Sequence, residues 1–217
     1  MVIAVDGPAA SGKGTLARRL SAHYGLPYLD TGLLYRMVAR AMLDGGHDIR
    51  DAGAAEDIVS RFDGSAFTEE ALRGREIGEA ASVVAAMPAV RSGLIERQRR
   101  FAAQPGGAVL DGRDIGTVIC PLSQAKLFVT ATPEVRAARR QKELAGRGEP
   151  APFDGILADI RRRDARDSGR SDAPLRAAED AVILDTSALT IDEALAAAIA
   201  IVERRRAAGP EQPFTER

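Results

Sequence analysis

Short apolar runs separated by long stretches of helical spacing set the pattern of this chain. Val2 to Val5 is a mostly β-branched run ending at Asp6-Gly7-Pro8, which predicts a buried strand entering a loop. From Lys13 onward Leu16 and Leu20 fall one helical turn apart, and Gly25 and Pro27 supply a stop. Tyr28-Leu29 predicts a brief second strand, Asp30-Thr31-Gly32 a turn, and Leu34 to Leu43 an amphipathic helix closed by Gly45-Gly46. Residues 47–75 are weakly periodic, and Ile77 to Phe101 is helix-like with an interruption at Pro88, so a helical insertion is expected here. Ala108-Val109-Leu110, Lys126 to Val129 and Ala181 to Leu184 alternate poorly, as strands buried on both faces of a parallel sheet do. Between them the spacing predicts a helix over Pro133 to Leu144, a Gly/Pro-rich loop over Ala145 to Pro152 and a charged helix over Asp154 to Asp167. Thr190-Ile191-Asp192-Glu193 is a capping box that opens the last helix. Residues 207–217 have two prolines and no periodicity, and are expected to form a mobile tail.

Strands alternating with helices imply an α/β fold of three layers, with ligands beyond the carboxyl ends of the strands. At 217 residues one domain carrying insertions is expected. Composition changes this picture little. Lys plus Arg number 30 against 31 for Asp plus Glu, so no global field recruits nucleic acid or an anionic membrane, and any anion site must be local. The single cysteine, Cys120, forbids an intrachain disulfide and suits a reducing compartment. The first residues lack a basic segment and a long apolar core, and no stretch approaches about 20 apolar residues. A cytoplasmic protein is the expectation.

Chemistry enters at Gly7-Pro8-Ala9-Ala10-Ser11-Gly12-Lys13-Gly14-Thr15, which follows a strand and opens a helix. That context turns a glycine pattern into a phosphate cradle. Gly7, Gly12 and Gly14 let successive N–H groups turn inward, the helix N-terminus adds positive potential, and Lys13 reaches the β- and γ-phosphates of a nucleoside triphosphate. Gly14 follows the lysine where the strict pattern has Ser or Thr, so the candidate hydroxyl for Mg²⁺ is that of Thr15, one place along. The plainer alternative is a glycine-rich turn with a surface lysine.

Asp111 to Gly116 leaves the third strand at the carboxyl edge of the sheet, so Arg113 and Asp114 face the ligand crevice. An arginine fork matches a phosphate or a pyrimidine carbonyl, and a carboxylate accepts from the exocyclic amine of cytosine. An exposed Asp-Arg pair in a strand-end turn is the alternative. Arg163, Arg166 and Arg170 recur at spacings of three and four, with Asp167 beside them. Alone this would read as a salt-bridged exposed helix, since Asp159-Arg163 and Arg163-Asp167 are both i,i+4 pairs. Beside a phosphate loop it reads as a set of cations for the oxygens of a transferring phosphoryl group.

Gly-Lys-Gly-Thr at the end of the loop resembles the P-loop nucleoside monophosphate kinases. Asp30 to Arg36, Ala81 to Ala85, Asp111 to Thr117 and Arg163 to Arg170 narrow the resemblance to the bacterial cytidylate kinases over nearly the whole chain. The resemblance implies a five-stranded parallel sheet in a three-layer αβα P-loop fold, with a helical acceptor-binding insertion and a lid. It divides the chain into a core of 1–29, 106–140 and 156–206, an acceptor region of 30–105 and a lid of 141–155. It implies γ-phosphoryl transfer from ATP, with Mg²⁺, to CMP or dCMP. Asp114, Ser82 and Arg91 would then hold cytosine, and Arg113 and Arg170 the acceptor phosphate. Arg163 and Asp167 would touch its ribose, and Thr31 and Arg36 nucleoside and phosphate respectively. Lys13, Arg163 and Arg166 are the candidate catalytic groups, and Arg139 and Arg140 precede the lid. His23 and His47 need no role, because the acceptor phosphate is already ionised near neutral pH. One departure is that the region before Ile77 is short: Phe62 to Arg73 holds at most one strand or hairpin where many relatives carry a small β-subdomain.

Three rival functions remain. A P-loop kinase of UMP, AMP or a metabolite differs only in acceptor. A nucleotide-dependent switch would show an Asn-Lys-x-Asp motif, which is absent from the sequence. Use of the 161–170 stripe on nucleic acid conflicts with the balanced charge and the lack of neighbouring aromatics. Small-molecule substrates and a monomer are the expectation.

Overall fold

A computed structural model of the protein describes residues 1–61, 67, 68, 70–72 and 74–208. The five strands are β1 Val2–Asp6, β2 Tyr28–Asp30, β3 Ala108–Gly112, β4 Ala125–Thr130 and β5 Val182–Asp185. They form one all-parallel sheet in the order β2-β3-β1-β4-β5. The pleat explains why the strands read as apolar runs. Ile3 and Val5 face one side with Leu16, Ala17 and Leu20 of α1 (Lys13–Tyr24) and Ala198, Ile201 and Val202 of α8 (Ile191–Ala208). Ala4 and Leu110 face the other side, with Ala102 of α5 (Pro88–Ala102) and with Ile115 and Ile119. The fold is therefore the expected three-layer αβα sandwich with five parallel strands.

A separate apolar cluster holds the insertion together. It joins α2 (Thr31–Asp44), α3 (Ala52–Ser60), α4 (Arg75–Val84) and α5 through Leu34, Val38, Met42, Val59, Val84, Val90 and Leu94. The interruption expected at Pro88 is the boundary of α4 and α5, with Pro88 in the first turn where its missing N–H costs nothing. Helix α3 is a gain over the sequence reading, capped by the Asp51 side chain accepting from Ala54 N at 3.0 Å. The turn expected at Asp30-Thr31-Gly32 is corrected: Asp30 is the N-cap and α2 already includes Thr31 and Gly32, because Thr31 Oγ1 donates to Asp111 O on β3 at 2.8 Å. The strand or hairpin expected over Phe62 to Arg73 falls largely outside the described residues. Helices α6 (Pro133–Gly146) and α7 (Phe153–Ser168) flank the Gly/Pro-rich segment. The capping box forms as read, Thr190 N donating to Glu193 Oε2 at 2.8 Å and Glu193 N to Thr190 Oγ1 at 3.2 Å. Helix α8 runs two residues into the expected tail, to Ala208, and 209–217 lie outside the described residues. Among the described residues no helix is long and apolar enough to cross a membrane.

The connection into β3 is tight. Gly107 has φ +97°, and a Cβ there would meet Met1 O at 1.9 Å, at the point where Ala108 N bonds Met1 O. Gly107→Ala is expected to cost about 1–3 kcal/mol, through left-handed strain and backbone collision together. It should lower the urea midpoint with an unchanged slope.

Candidate active site

The carboxyl ends of β1 and β3 lie side by side, Val5 opposite Asp111 and Asp6 opposite Gly112, so the two loops that leave them are neighbours. The first is the glycine-rich loop. Gly7 has φ +153°, and a Cβ would fall 2.0 Å from Val129 O, so no side chain fits where the loop crosses β4. Ala10 is held in the left-handed region at φ +59°, a local strain that its surroundings impose. Those surroundings are two arginines of α6. Arg136 donates to Ala9 O at 3.2 Å and bidentately to Asp164 of α7. Arg139 donates to Ser11 O at 3.3 Å and to Thr186 O at 2.6 Å. Pro8 is buried, Gly12 caps α1, Thr15 is exposed at its first turn, and the buried Ser11 Oγ has no hydrogen-bond partner among the described residues.

Lys13 leaves this loop toward two carboxylate-bearing strands. Its Nζ is 3.8 Å from Asp111 Oδ2, and Asp111 in turn accepts from Tyr28 Oη at 2.7 Å. Burial, with Arg113 adding repulsion, lowers the Lys13 ammonium to about 8, while Asp111 and Asp30 oppose the shift. Burial also raises the Asp111 carboxyl, against the pull of Lys13. The Tyr28 hydroxyl is pushed up by burial and by Asp111.

The second assembly centres on Asp167 of α7, which is 1% exposed. It accepts from Ser82 Oγ at 3.1 Å, Arg113 Nε at 3.0 Å and Arg170 NH2 at 2.6 Å, with Arg163 Nε 3.9 Å away. Burial works against its charge, yet Arg113, Arg170 and Arg163 hold its carboxyl below the usual range. Burial and the proximity of Arg113 bring Arg163 down to about 10. Arg91 is buried and has all three nitrogens engaged: Nε with Asp172 at 3.0 Å, NH1 with Tyr35 Oη at 3.4 Å, and NH2 with Asp114. Arg166 meets Glu79 of α4 at 3.1 Å, and Arg36 donates to Leu72 O at 2.9 Å.

Two cavities open onto these groups. One of about 680 Å³ is lined by the loop from Ala10 to Thr15, Arg139 and Thr186. The other, of about 320 Å³, is lined by Arg113, Glu79 and Arg163. Both share Lys13, Arg36 and Arg140, so a ligand in each would meet the other at those cations. Ser82, Arg91 and Asp114 line neither; all three are buried, Ser82 bonded to Asp167 and Arg91 to Asp114.

A family model for cytidylate kinase matches residues 3–204. The chain belongs to the cytidylate kinase family. A protein named cytidylate kinase from Xanthobacter autotrophicus is 65% identical over 95% of this chain and 99% of its own length. One of the same name from Methylocella silvestris is 61% identical, over 94% of each chain. The crystal structure of an uncharacterized protein from Eubacterium ventriosum superposes with a TM-score of 0.53 at 13% identity, covering 94% of this chain and 98% of that one, a likeness of fold.

For a cytidylate kinase the arrangement has a clear chemical capacity, since cations from the glycine-rich loop, the β3 turn and α7 converge on a space between two cavities. Buried N–H groups of Arg163 Nε, Arg166 NH1 and Arg170 Nε have no hydrogen-bond partner among the described residues, which leaves them able to donate to anionic oxygens. Sequence reasoning named these arginines but missed Asp6, Asp111, Arg136 and Asp172. For the first two the signal was present: a carboxylate ending a buried parallel strand lies at the ligand edge.

Asp167→Ala leaves three guanidinium groups facing one another. The expected loss is about 3–5 kcal/mol in denaturant unfolding, partly restored by millimolar phosphate or sulfate, which would replace the missing charge. In the wild type the depressed carboxyl makes this contribution available above about pH 4, and it is lost as pH falls through the folded value.

Proposed function

We propose that the chain transfers the γ-phosphoryl group of ATP to CMP or dCMP, giving ADP and CDP or dCDP. The observation that carries this reading is the pair of cavities meeting at Lys13, Arg36 and Arg140, with Arg163 of α7, whose buried Nε has no hydrogen-bond partner among the described residues, lining one of them. Two polyanions brought to one point need that charge, and little else, because phosphoryl transfer is mainly positioning and electrostatic stabilisation.

In this reading the loop Gly7 to Thr15 cradles the donor phosphates, and Lys13 follows the transferring group. Arg163 and Arg166 take up charge on its oxygens. Arg113, Arg36 and Arg170 hold the acceptor phosphate, and Asp167 with Arg163 and Thr31 addresses its nucleoside. Asp114, oriented by Arg91, accepts from the cytosine amine, with Arg91 and Ser82 completing the base site. Uracil would turn a carbonyl oxygen toward the same carboxylate, which is repulsive. Mg²⁺ accompanying ATP would find hard oxygen ligands in Thr15 and, near Lys13, Asp111 and Asp30; it neutralises phosphate charge when bound. Residues 30–105 serve as the acceptor region and 141–155 as a lid that excludes water from the bound triphosphate. The enzyme works as a cytoplasmic monomer on small-molecule substrates.

Coupled ADP release with CMP, dCMP, UMP, AMP and GMP in turn is the test. CMP and dCMP should turn over far faster than the rest, and removal of Mg²⁺ with a chelator should abolish the rate. Lys13→Ala should lose at least about 10²–10³-fold in kcat. Asp114→Asn should reduce the CMP-over-UMP ratio of kcat/KM by about 10–100-fold, the worth of one well-placed base contact. Equal turnover of UMP by the wild type would move the assignment to another acceptor.

A further inference from the structure

Asp6 ends β1, and the chain turns into the phosphate loop at the next residue, Gly7. Its carboxylate is buried and is engaged by the turn that follows β3. Oδ1 accepts the N–H of Ile115 at 2.8 Å, and Oδ2 accepts that of Gly116 at 2.7 Å. These two residues open a short π-helix, Ile115–Ile119, that begins directly behind Arg113 and Asp114. The first N–H groups of any helical turn have no partner within it, and an ionised carboxylate taking two of them is a strong, directional clamp. The π-helix then bonds back onto the same turn, Ile119 N donating to Asp114 O at 3.2 Å and Val118 N to Asp114 O at 2.9 Å. The backbone that carries Arg113 and Asp114 is thus fixed at its start by β3 and at its end by Asp6. There is little room for another arrangement: a Cβ at Gly116 would meet Lys126 Cδ at 3.1 Å and Asp6 Oδ2 at 3.4 Å.

We propose that Asp6 is a positioning residue for the acceptor nucleotide, holding the Arg113-Asp114 turn in its binding geometry and tying it to the start of the donor's phosphate loop. This rests on the reading of Arg113 and Asp114 as acceptor contacts.

The clamp works only in one protonation state. The ionised carboxylate accepts both N–H groups, whereas the protonated acid presents an O–H against one of them. Burial pushes the Asp6 carboxyl up to about 7; the bonds from Gly116 and Ile115 resist, Asp114 adds to the rise and Arg113 opposes it. Cys120 also faces it from the end of the π-helix. From β4, Lys126 brings its stem, its ammonium being bound to Pro121 O and Asp180, and Phe128, opposite Asp6, brings no charge. Gly112, opposite Asp6 on β3, brings no side chain. The grip is therefore half present at about pH 7, complete about two pH units above it and lost as pH falls below it, so acceptor affinity should weaken in the same direction.

The experiment uses the full chain, wild type and Asp6→Asn. Amide shifts of Ile115 and Gly116 are followed by NMR from about pH 5.5 to 8.5, spanning the expected midpoint. Over the same range the inhibition constant of cytidine, which has no phosphate to titrate, is measured against CMP. In the wild type both amides should titrate together near pH 7, and cytidine should bind several-fold more weakly below it. In Asp6→Asn the amide titration should vanish and the CMP KM at pH 8 should rise about tenfold or more, as for loss of a hydrogen bond to a charged group. The ATP KM should stay within about twofold, since α6 holds the donor loop independently. Wild-type amides and cytidine binding that are flat across pH 7 would overturn the proposal even if the variant fails to fold. So would a folded Asp6→Asn whose CMP KM is unchanged. Asp114→Asn separates the two ideas. If it leaves the CMP-over-UMP ratio intact, the acceptor reading itself fails; if it relaxes that ratio while Asp6→Asn leaves CMP binding untouched, only the role of Asp6 fails.

Discussion

The cations needed to join two polyanions repel one another before either ligand arrives, and most of the site is an answer to that repulsion. Arg113, Arg163 and Arg170 tolerate their proximity because Asp167 lies among them. Lys13 is placed beside Asp111, Arg166 beside Glu79, and Arg91 between Asp114 and Asp172. Buried ion pairs of this kind are weak evidence for stability, because desolvation takes back much of the Coulomb gain. Their value here is positional. The carboxylates hold the guanidinium groups without saturating them, and the unsatisfied N–H groups of Arg163, Arg166 and Arg170 are the residue of that arrangement.

A parallel sheet makes such a convergence possible at low cost in chain. Strands β1 and β3 are adjacent and end level, so loops far apart in sequence leave the sheet together. On the other side of β1, β4 and β5 bring up Thr130 and Thr186, and Arg139 reaches across to bond both Thr186 and Ser11. The central position of β1 lets Asp6, its last residue, and Gly7, the first of the loop, touch both neighbours: Asp6 the turn after β3, Gly7 the backbone of β4.

What could be read from the sequence follows the range of the forces involved. The strand, glycine loop and helix around Lys13 are determined within about fifteen residues, and local pattern suffices there. The stripe Arg163, Arg166, Asp167 and Arg170 was visible as spacing, but its burial was not, because only packing of α7 against α4 and the β3 turn distinguishes it from a solvated face. Helix α3 escaped notice since its buried positions include only Ala55 and Val59, too few to carry a period. The start of α2 was obscured because Asp-Thr-Gly is ordinary turn chemistry, and the bond from Thr31 to Asp111 O is a tertiary fact. The π-helix had no signature of its own, since its first N–H groups are answered by a residue over a hundred positions away.

The two faces of α7 differ in how firmly they are held, and that difference has a functional direction. Toward the phosphate loop, Asp164 takes a bidentate bond from Arg136, which is buried and also grips Ala9 O. Breaking it would strand a buried charge, at a cost of about 3–5 kcal/mol. Toward α4 one link is buried, Ser82 Oγ to Asp167, while the ion pairs, Glu79 with Arg162 and Arg166 and Arg75 with Asp159, are all partly exposed. Pairs of that exposure contribute about 0–1 kcal/mol each. In the proposed reaction a phosphate would thus meet one side of α7 held by a buried ion pair and another whose outer ion pairs, at Glu79, are weak enough to be exchanged for its own oxygens. On the proposed reading Arg166 is the group for such an exchange, being paired to Glu79 while its buried NH1 has no hydrogen-bond partner among the described residues.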